Sequence, residues 1–152
     1  MNLITIYLMN KEDTLTYINS QWDSWYIPGL SDFVRIPNLT QMVDPDYLQN
    51  GLLEQAMACV DSYINKLEIK GLSKHIFKTE AGLPLICYVV EPSSPDIKAN
   101  VMLYGHLDKQ PYGDGWITGP TDPVIKGDLM YGRGSSDDGY SAFTCMLAVK
   151  AG

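Results

Sequence analysis

Residues Val101–Asp108 read VMLYGHLD: four apolar residues, a glycine, then a histidine and an aspartate with one residue between them. Val101, Met102, Leu103 and Tyr104 show no alternation of apolar and polar positions, which predicts a strand covered on both faces, like the inner strand of a sheet flanked by helices. His106 and Asp108 then fall at the carboxyl end of that strand. In open α/β sheets this is where loops diverge, helix N-termini point and ligands bind. The stretch therefore predicts both an α/β fold and the position of its site.

Downstream, Lys109 to Pro123 is rich in glycine and proline and predicts a loop. A short strand, Asp128–Tyr131, leads into Gly132-Arg133-Gly134-Ser135-Ser136-Asp137-Asp138-Gly139, whose small residues allow a sharp turn. From Tyr140 the chain is apolar on most sides through Phe143, Met146, Leu147 and Val149, the pattern of a buried helix. Upstream, His75–Thr79 and Leu85–Val90 are β-prone runs separated by Ala81-Gly82-Leu83-Pro84, and Glu91–Asp96 is a turn by composition.

Leu53, Met57, Val60, Ile64 and Leu67, with Ala56 and Tyr63 alongside, form one helix face. Asp44-Pro45 predicts its start, Gly51 a one-turn break and Gly71 a stop. Before it, Leu15, Ile18, Trp22 and Trp25 predict a helix capped by Asp13 and ended by Pro28-Gly29.

The chain has 152 residues, the size of one domain, with 18 acidic residues against 11 basic and a net charge of −7. Its basic residues are scattered, which argues against nucleic acid or an anionic membrane as partner and for small molecules or proteins. Cys59, Cys87 and Cys145 are widely spaced and odd in number, so neither a disulfide framework nor a thiolate zinc site is expected. A cytoplasmic location follows as the expectation. The opening MNLITIYLMN is short, lacks a basic start and a small-residue cleavage site, and does not read as an export signal. No run approaches the ~20 apolar residues of a membrane span.

Two polar clusters remain, His106/Asp108 and Asp137/Asp138, both at predicted strand ends. Imidazole and carboxylate are ligands suited to zinc, manganese or cobalt, and a carboxylate can bridge two ions. Each cluster alone has an ordinary explanation. The histidine can cap a loop, and consecutive acids before a helix are common partners of its dipole. His75, within a predicted strand, is read as an ordinary strand residue.

Taken together, YGHLD at the end of an apolar run, Gly115-Trp116 after it, and LMYGRGSSDDG before a helix resemble the zinc-dependent metallopeptidase family of carnosine dipeptidase, aminoacylase, glutamate carboxypeptidase and succinyl-diaminopimelate desuccinylase. The dipeptidase branch is the most similar, and Leu30–Asn38, LSDFVRIPN, resembles that family's N-terminal helix exit. Gly139-Tyr140 follows the acidic pair where many relatives have Lys-Gly, a departure that bears on the branch.

The resemblance implies an α/β fold in which residues 1–152 are the N-terminal portion of a mixed-sheet catalytic domain with flanking helices, the lid or dimerisation domain being absent. It implies two divalent metal ions, zinc first and manganese or cobalt otherwise, with His106 a ligand of one ion and Asp137 bridging both. Asp108 would be the catalytic-position acid that orients groups around the metal, and the Asp137–Asp138 peptide would be cis. The reaction would be hydrolysis of a peptide or amide bond in a dipeptide or N-acyl amino acid, by a full-length homodimer. The family's Glu-Glu pair with the general base, a further acidic ligand and a late histidine lie beyond this sequence, so the isolated chain is expected to be inactive.

A non-catalytic remnant, truncated or paired with a separately encoded remainder, is the competing expectation. A phosphate-binding loop ranks lower, because GRGSSD lacks the third glycine of GxGxxG and its acids repel phosphate. A serine hydrolase ranks lower still, since GRGSS is not GxSxG.

Overall fold

The computed structural model describes residues 10–92 and 94–152, so the N-terminal segment weighed as an export signal lies almost wholly outside the described residues. Helix α1 (Lys11–Gln21) is capped not by Asp13 but by Asn10, whose side chain accepts from the amides of Glu12 and Asp13. The periodic apolar residues of this stretch do not form one buried face. Leu15 and Trp22 are exposed while Trp25 is buried.

Pro28-Gly29 does not end the first helix either. A π-helical turn (Trp22–Tyr26), marked by a bond from Ile27 N to Trp22 O, joins α1 to α2 (Ile27–Arg35). Proline lacks a donor and is tolerated in the first turn of a helix, which is where Pro28 sits. Gly29 serves packing. A Cβ at this position would stand 2.6 Å from Phe143 Cε1 and 2.9 Å from Tyr63 Cδ1, so the missing side chain lets α2 approach two other helices.

Residues 41–50 are turns, and the next helix, α3 (Leu52–Asn65), starts after Gly51 at φ 75° rather than at Asp44-Pro45. Asp44 instead ties the turns together through Asp46 N and Asn50 Nδ2. The predicted face of α3 is the buried one: Leu53, Ala56, Met57, Val60, Tyr63 and Ile64, with Leu67 just beyond. Together with α2 and α4 (Gly139–Ala151) it encloses the core. Phe143, fully buried, meets Trp25, Tyr26, Phe33 and Tyr63 edge-on at 5.8–6.5 Å between ring centroids. Tyr63 donates its hydroxyl to Asp32, and burial, helped by that carboxylate, pushes its phenol up to about 12.

The strands form two antiparallel hairpins, β1 (Leu72–Lys78) with β2 (Pro84–Val90), and β3 (Val124–Lys126) with β4 (Leu129–Tyr131). His75 is an exposed residue of β1, stacked on Phe77. The hairpin β1–β2 is tied to α3 by Asp61, which accepts from Lys74 Nζ at 2.7 Å and Tyr88 Oη at 2.8 Å. The architecture is mixed α/β.

Val101–Tyr104 departs from expectation. It has no ladder partner among the described residues and its side chains lie open, with Val101 85% and Met102 90% exposed. A strand needs a neighbour for its backbone groups, and both hairpins pair internally. Just after it, Leu39 and Lys109 form an isolated parallel bridge, with Lys109 N donating to Asn38 O and Thr40 N to Lys109 O.

Candidate metal centre

The turn after Val101–Tyr104 and the turn before α4 meet. His106 N donates to Asp138 Oδ2 at 3.1 Å, although Asp138 stands at the N-cap of α4 and makes no capping bond with its side chain. Asp138 thus stands at the helix N-terminus, as the ordinary reading of the acidic pair expects, but its side chain binds the His106 loop and not the helix amides. Its peptide bond with Asp137 is cis, as the resemblance implies.

His106 lies between two carboxylates. Its Nε2 is 3.2 Å from Asp137 Oδ1, and its Nδ1 is 3.2 Å from Asp108 Oδ1 and 3.1 Å from the Asp108 carbonyl oxygen. With the proton on Nδ1, donated to Asp108, the Nε2 lone pair is left facing Asp137. A carboxylate or carbonyl on the far nitrogen fixes tautomer and ring orientation in metal-binding histidines. The 3.2 Å between Nε2 and Asp137 Oδ1 lies within the span of two ligands that each sit about 2.0–2.2 Å from one ion.

The donor set is thus a borderline nitrogen and hard oxygens, partly open to solvent, with Asp108 and Asp137 on the two ring nitrogens of His106 and Asp138 on its backbone amide. That chemistry fits a divalent cation. Among the described residues, however, no group of three or more histidines, cysteines, aspartates and glutamates is arranged to hold an ion by itself. His75 is on the hairpin, and the three cysteines are free.

Three supports of this site carried no sequence signal. Gly105 passes so close to α4 that a Cβ would stand 3.1 Å from Ser141 Cβ. Asn38, buried, donates from Nδ2 to Leu107 O at 2.7 Å. Lys109, placed in a loop by composition, is fully buried and donates to the carbonyls of Phe33, Val34 and Ile36. Burial pushes its amine down to about 7, while the carbonyls at the negative end of α2 favour the charged form. The Gly115-Trp116 loop is also drawn in: Arg133 Nη2 and Trp116 Nε1 both donate to Tyr112 O, and the guanidinium lies 5.3 Å from the centre of the Trp116 ring.

Residues 102–151 match the Peptidase family M20/M25/M40. The chain is 40% identical over 57 residues to the succinyl-diaminopimelate desuccinylase of Erythrobacter litoralis (strain HTCC2594), covering 38% of this chain and 15% of that protein. With the enzyme of the same name from Sulfurovum sp. (strain NBC37-1) it shares 35% over 91 residues, 59% of this chain and 20% of the other. With the Homo sapiens Beta-Ala-His dipeptidase it shares 38% over 65 residues, 41% of this chain and 13% of the other. The chain thus spans 13–20% of the length of these relatives. The segment that carries HLD and SSDD is thus the part of the chain that is similar to the peptidase family M20/M25/M40.

Proposed function

We propose that the chain contributes part of the metal centre of a hydrolase that cleaves peptide or amide bonds in dipeptides or N-acyl amino acids. The observation that carries this reading is the approach of His106 Nε2 to Asp137 Oδ1 at 3.2 Å, with Asp108 on the opposite ring nitrogen. His106 would hold one ion and Asp137 would bridge two, zinc suiting the donor set best and manganese or cobalt serving as alternatives. Bound there, such ions polarise a scissile carbonyl and lower the pKa of a water.

Asp108 keeps the His106 ring in the orientation that presents Nε2, and so acts at the catalytic position without binding the ion. Asp138 holds the His106 loop by accepting from His106 N. The names of the relatives, a desuccinylase and a dipeptidase, support the substrate class. The three free cysteines support a cytoplasmic place.

Two ligands do not complete a catalytic site, which keeps three protein ligands and an open position even for a single zinc. We therefore hold the 152 residues alone to be inactive and weak in metal binding, with the remaining ligands and the general base supplied by further chain in a homodimeric whole protein. The exposed run Val101–Tyr104 supports this, since it has no ladder partner among the described residues and offers apolar side chains to a neighbouring strand. The same run suits a remnant that pairs with a separately encoded remainder.

Metal content and hydrolysis of a dipeptide and an N-succinyl amino acid by the full-length gene product test the reading, with His106→Ala and Asp137→Ala beside it. Both variants are expected to lose metal and activity. Full retention of both properties in both variants refutes it.

A further inference from the structure

Lys109 follows His106-Leu107-Asp108 directly and is the one charged residue that is fully buried among the described residues. An ammonium has three donors and no acceptor. Here three carbonyls receive them, those of Phe33 at 2.7 Å, Val34 at 3.2 Å and Ile36. These groups end α2, where helical carbonyls run out of intrahelical partners. The Phe33 ring lies under the same nitrogen, 4.2 Å from ring centre to Nζ.

The stem of Lys109 meets the other half of the site. A Cβ on Gly134, three residues before Asp137, would stand 2.7 Å from Lys109 Cε, 3.2 Å from its Cγ and 3.1 Å from Phe33 Cε1. On the backbone side, Lys109 N donates to Asn38 O at 3.0 Å, Thr40 N donates to Lys109 O at 2.8 Å, and Asn38 Nδ2 donates to Leu107 O at 2.7 Å. One side chain thus touches the end of α2 and the loop leading to Asp137, while its own backbone carries the loop of His106.

We propose that Lys109 is a positioning residue which, together with Asn38, sets the separation of His106 and Asp137 for a divalent cation. This rests on the metal-centre reading given above. The side chain does not touch the ion. It fixes two loops to one helix end, so that the two ligands meet without reorganisation when the cation arrives.

The test is a Co2+ titration of the full-length gene product, followed by visible absorption, with backbone amide hydrogen exchange measured on the same samples. Lys109→Met is expected to weaken Co2+ binding about 10- to 100-fold, the range for groups that orient metal ligands, and to speed exchange at the Lys109 and Thr40 amides. Tyr88→Phe, which removes a bond between β2 and α3, is expected to lower the thermal midpoint and leave Co2+ affinity in place. Should Lys109→Met not fold, Asn38→Ala carries the test, with weakened Co2+ binding expected.

Unchanged affinity in these variants, alongside lost binding in His106→Ala, overturns the positioning role and leaves the metal centre standing. Equal weakening in Tyr88→Phe also overturns it, because the effect would then follow general stability. Undiminished binding in His106→Ala overturns the metal centre, and the positioning role with it.

Discussion

Gly105→Ala places a methyl group where the His106 loop meets the first turn of α4. Gly105 is not among the glycines with positive φ, so its backbone accommodates alanine and the penalty is one of contact. The new Cβ would stand 3.1 Å from Ser141 Cβ and 3.3 Å from Asp138 Oδ2, and would collide with Ser141 Oγ. That hydroxyl is 2.8 Å from Asp138 O, to which it donates, on a residue only 8% exposed.

Turning the hydroxyl away loses a hydrogen bond, about 1 kcal/mol. Moving loop and helix apart adds about 1–3 kcal/mol of overpacking. The single variant is therefore expected to lose about 2–4 kcal/mol. Ser141→Ala alone loses about 1 kcal/mol. In the double variant the collision with Oγ is gone and only the Cβ–Cβ approach remains, so the loss falls short of the sum by about 1–2 kcal/mol. Urea unfolding followed by far-UV circular dichroism reads all four proteins, given a common slope. Additivity to within about 0.5 kcal/mol would refute the contact as the cause.

Other perturbations bear on the frame around the site. Burial pushes the Asp61 carboxyl up, but the bonds from Lys74 and Tyr88 and the Lys74 charge outweigh this and hold it below its ordinary value. The stability it contributes is present above the unfolded value of about 4 and is lost as pH falls through the lower folded value. Asp61→Asn should flatten the acid limb of a stability–pH profile, and an unaltered limb would place that dependence elsewhere. Phe143→Ala empties the fully buried centre of the aromatic cluster and should lower unfolding free energy by about 3–5 kcal/mol. A loss under about 1 kcal/mol in denaturant unfolding would mean that the cluster repacks around the gap.

The sequence makes some parts of this structure legible and hides others for physical reasons. The α3 face can be read because burial of Leu53, Met57, Val60 and Ile64 follows helical period alone. The hairpin β1–β2 can be read because both strands and their connection are local. Val101–Tyr104 misleads because apolar content says that a segment suits cover, not that the cover lies within these residues. Pro28-Gly29 misleads because a π-helical turn admits the proline and close helix packing requires the glycine.

At the site, His106, Asp108 and Asp137 stand out by type, as an imidazole and two carboxylates at turn positions. Their mutual distances depend on tertiary contacts that no local pattern encodes. Lys109 is the clearest case. A lysine in a glycine- and proline-rich loop reads as solvated, and only the three carbonyls ending α2 make its burial stable.

His106 and Asp137 are the two residues proposed to ligate a divalent cation. With two histidines in the chain, long-range 1H–15N correlation spectra of the imidazoles during a Zn2+ titration test this assignment most directly. Zn2+ is expected to shift the His106 Nε2 resonance, with His75 unmoved and the effect weakened in Asp137→Ala. A His106 Nε2 resonance that stays fixed, or that moves no more than His75, would contradict it.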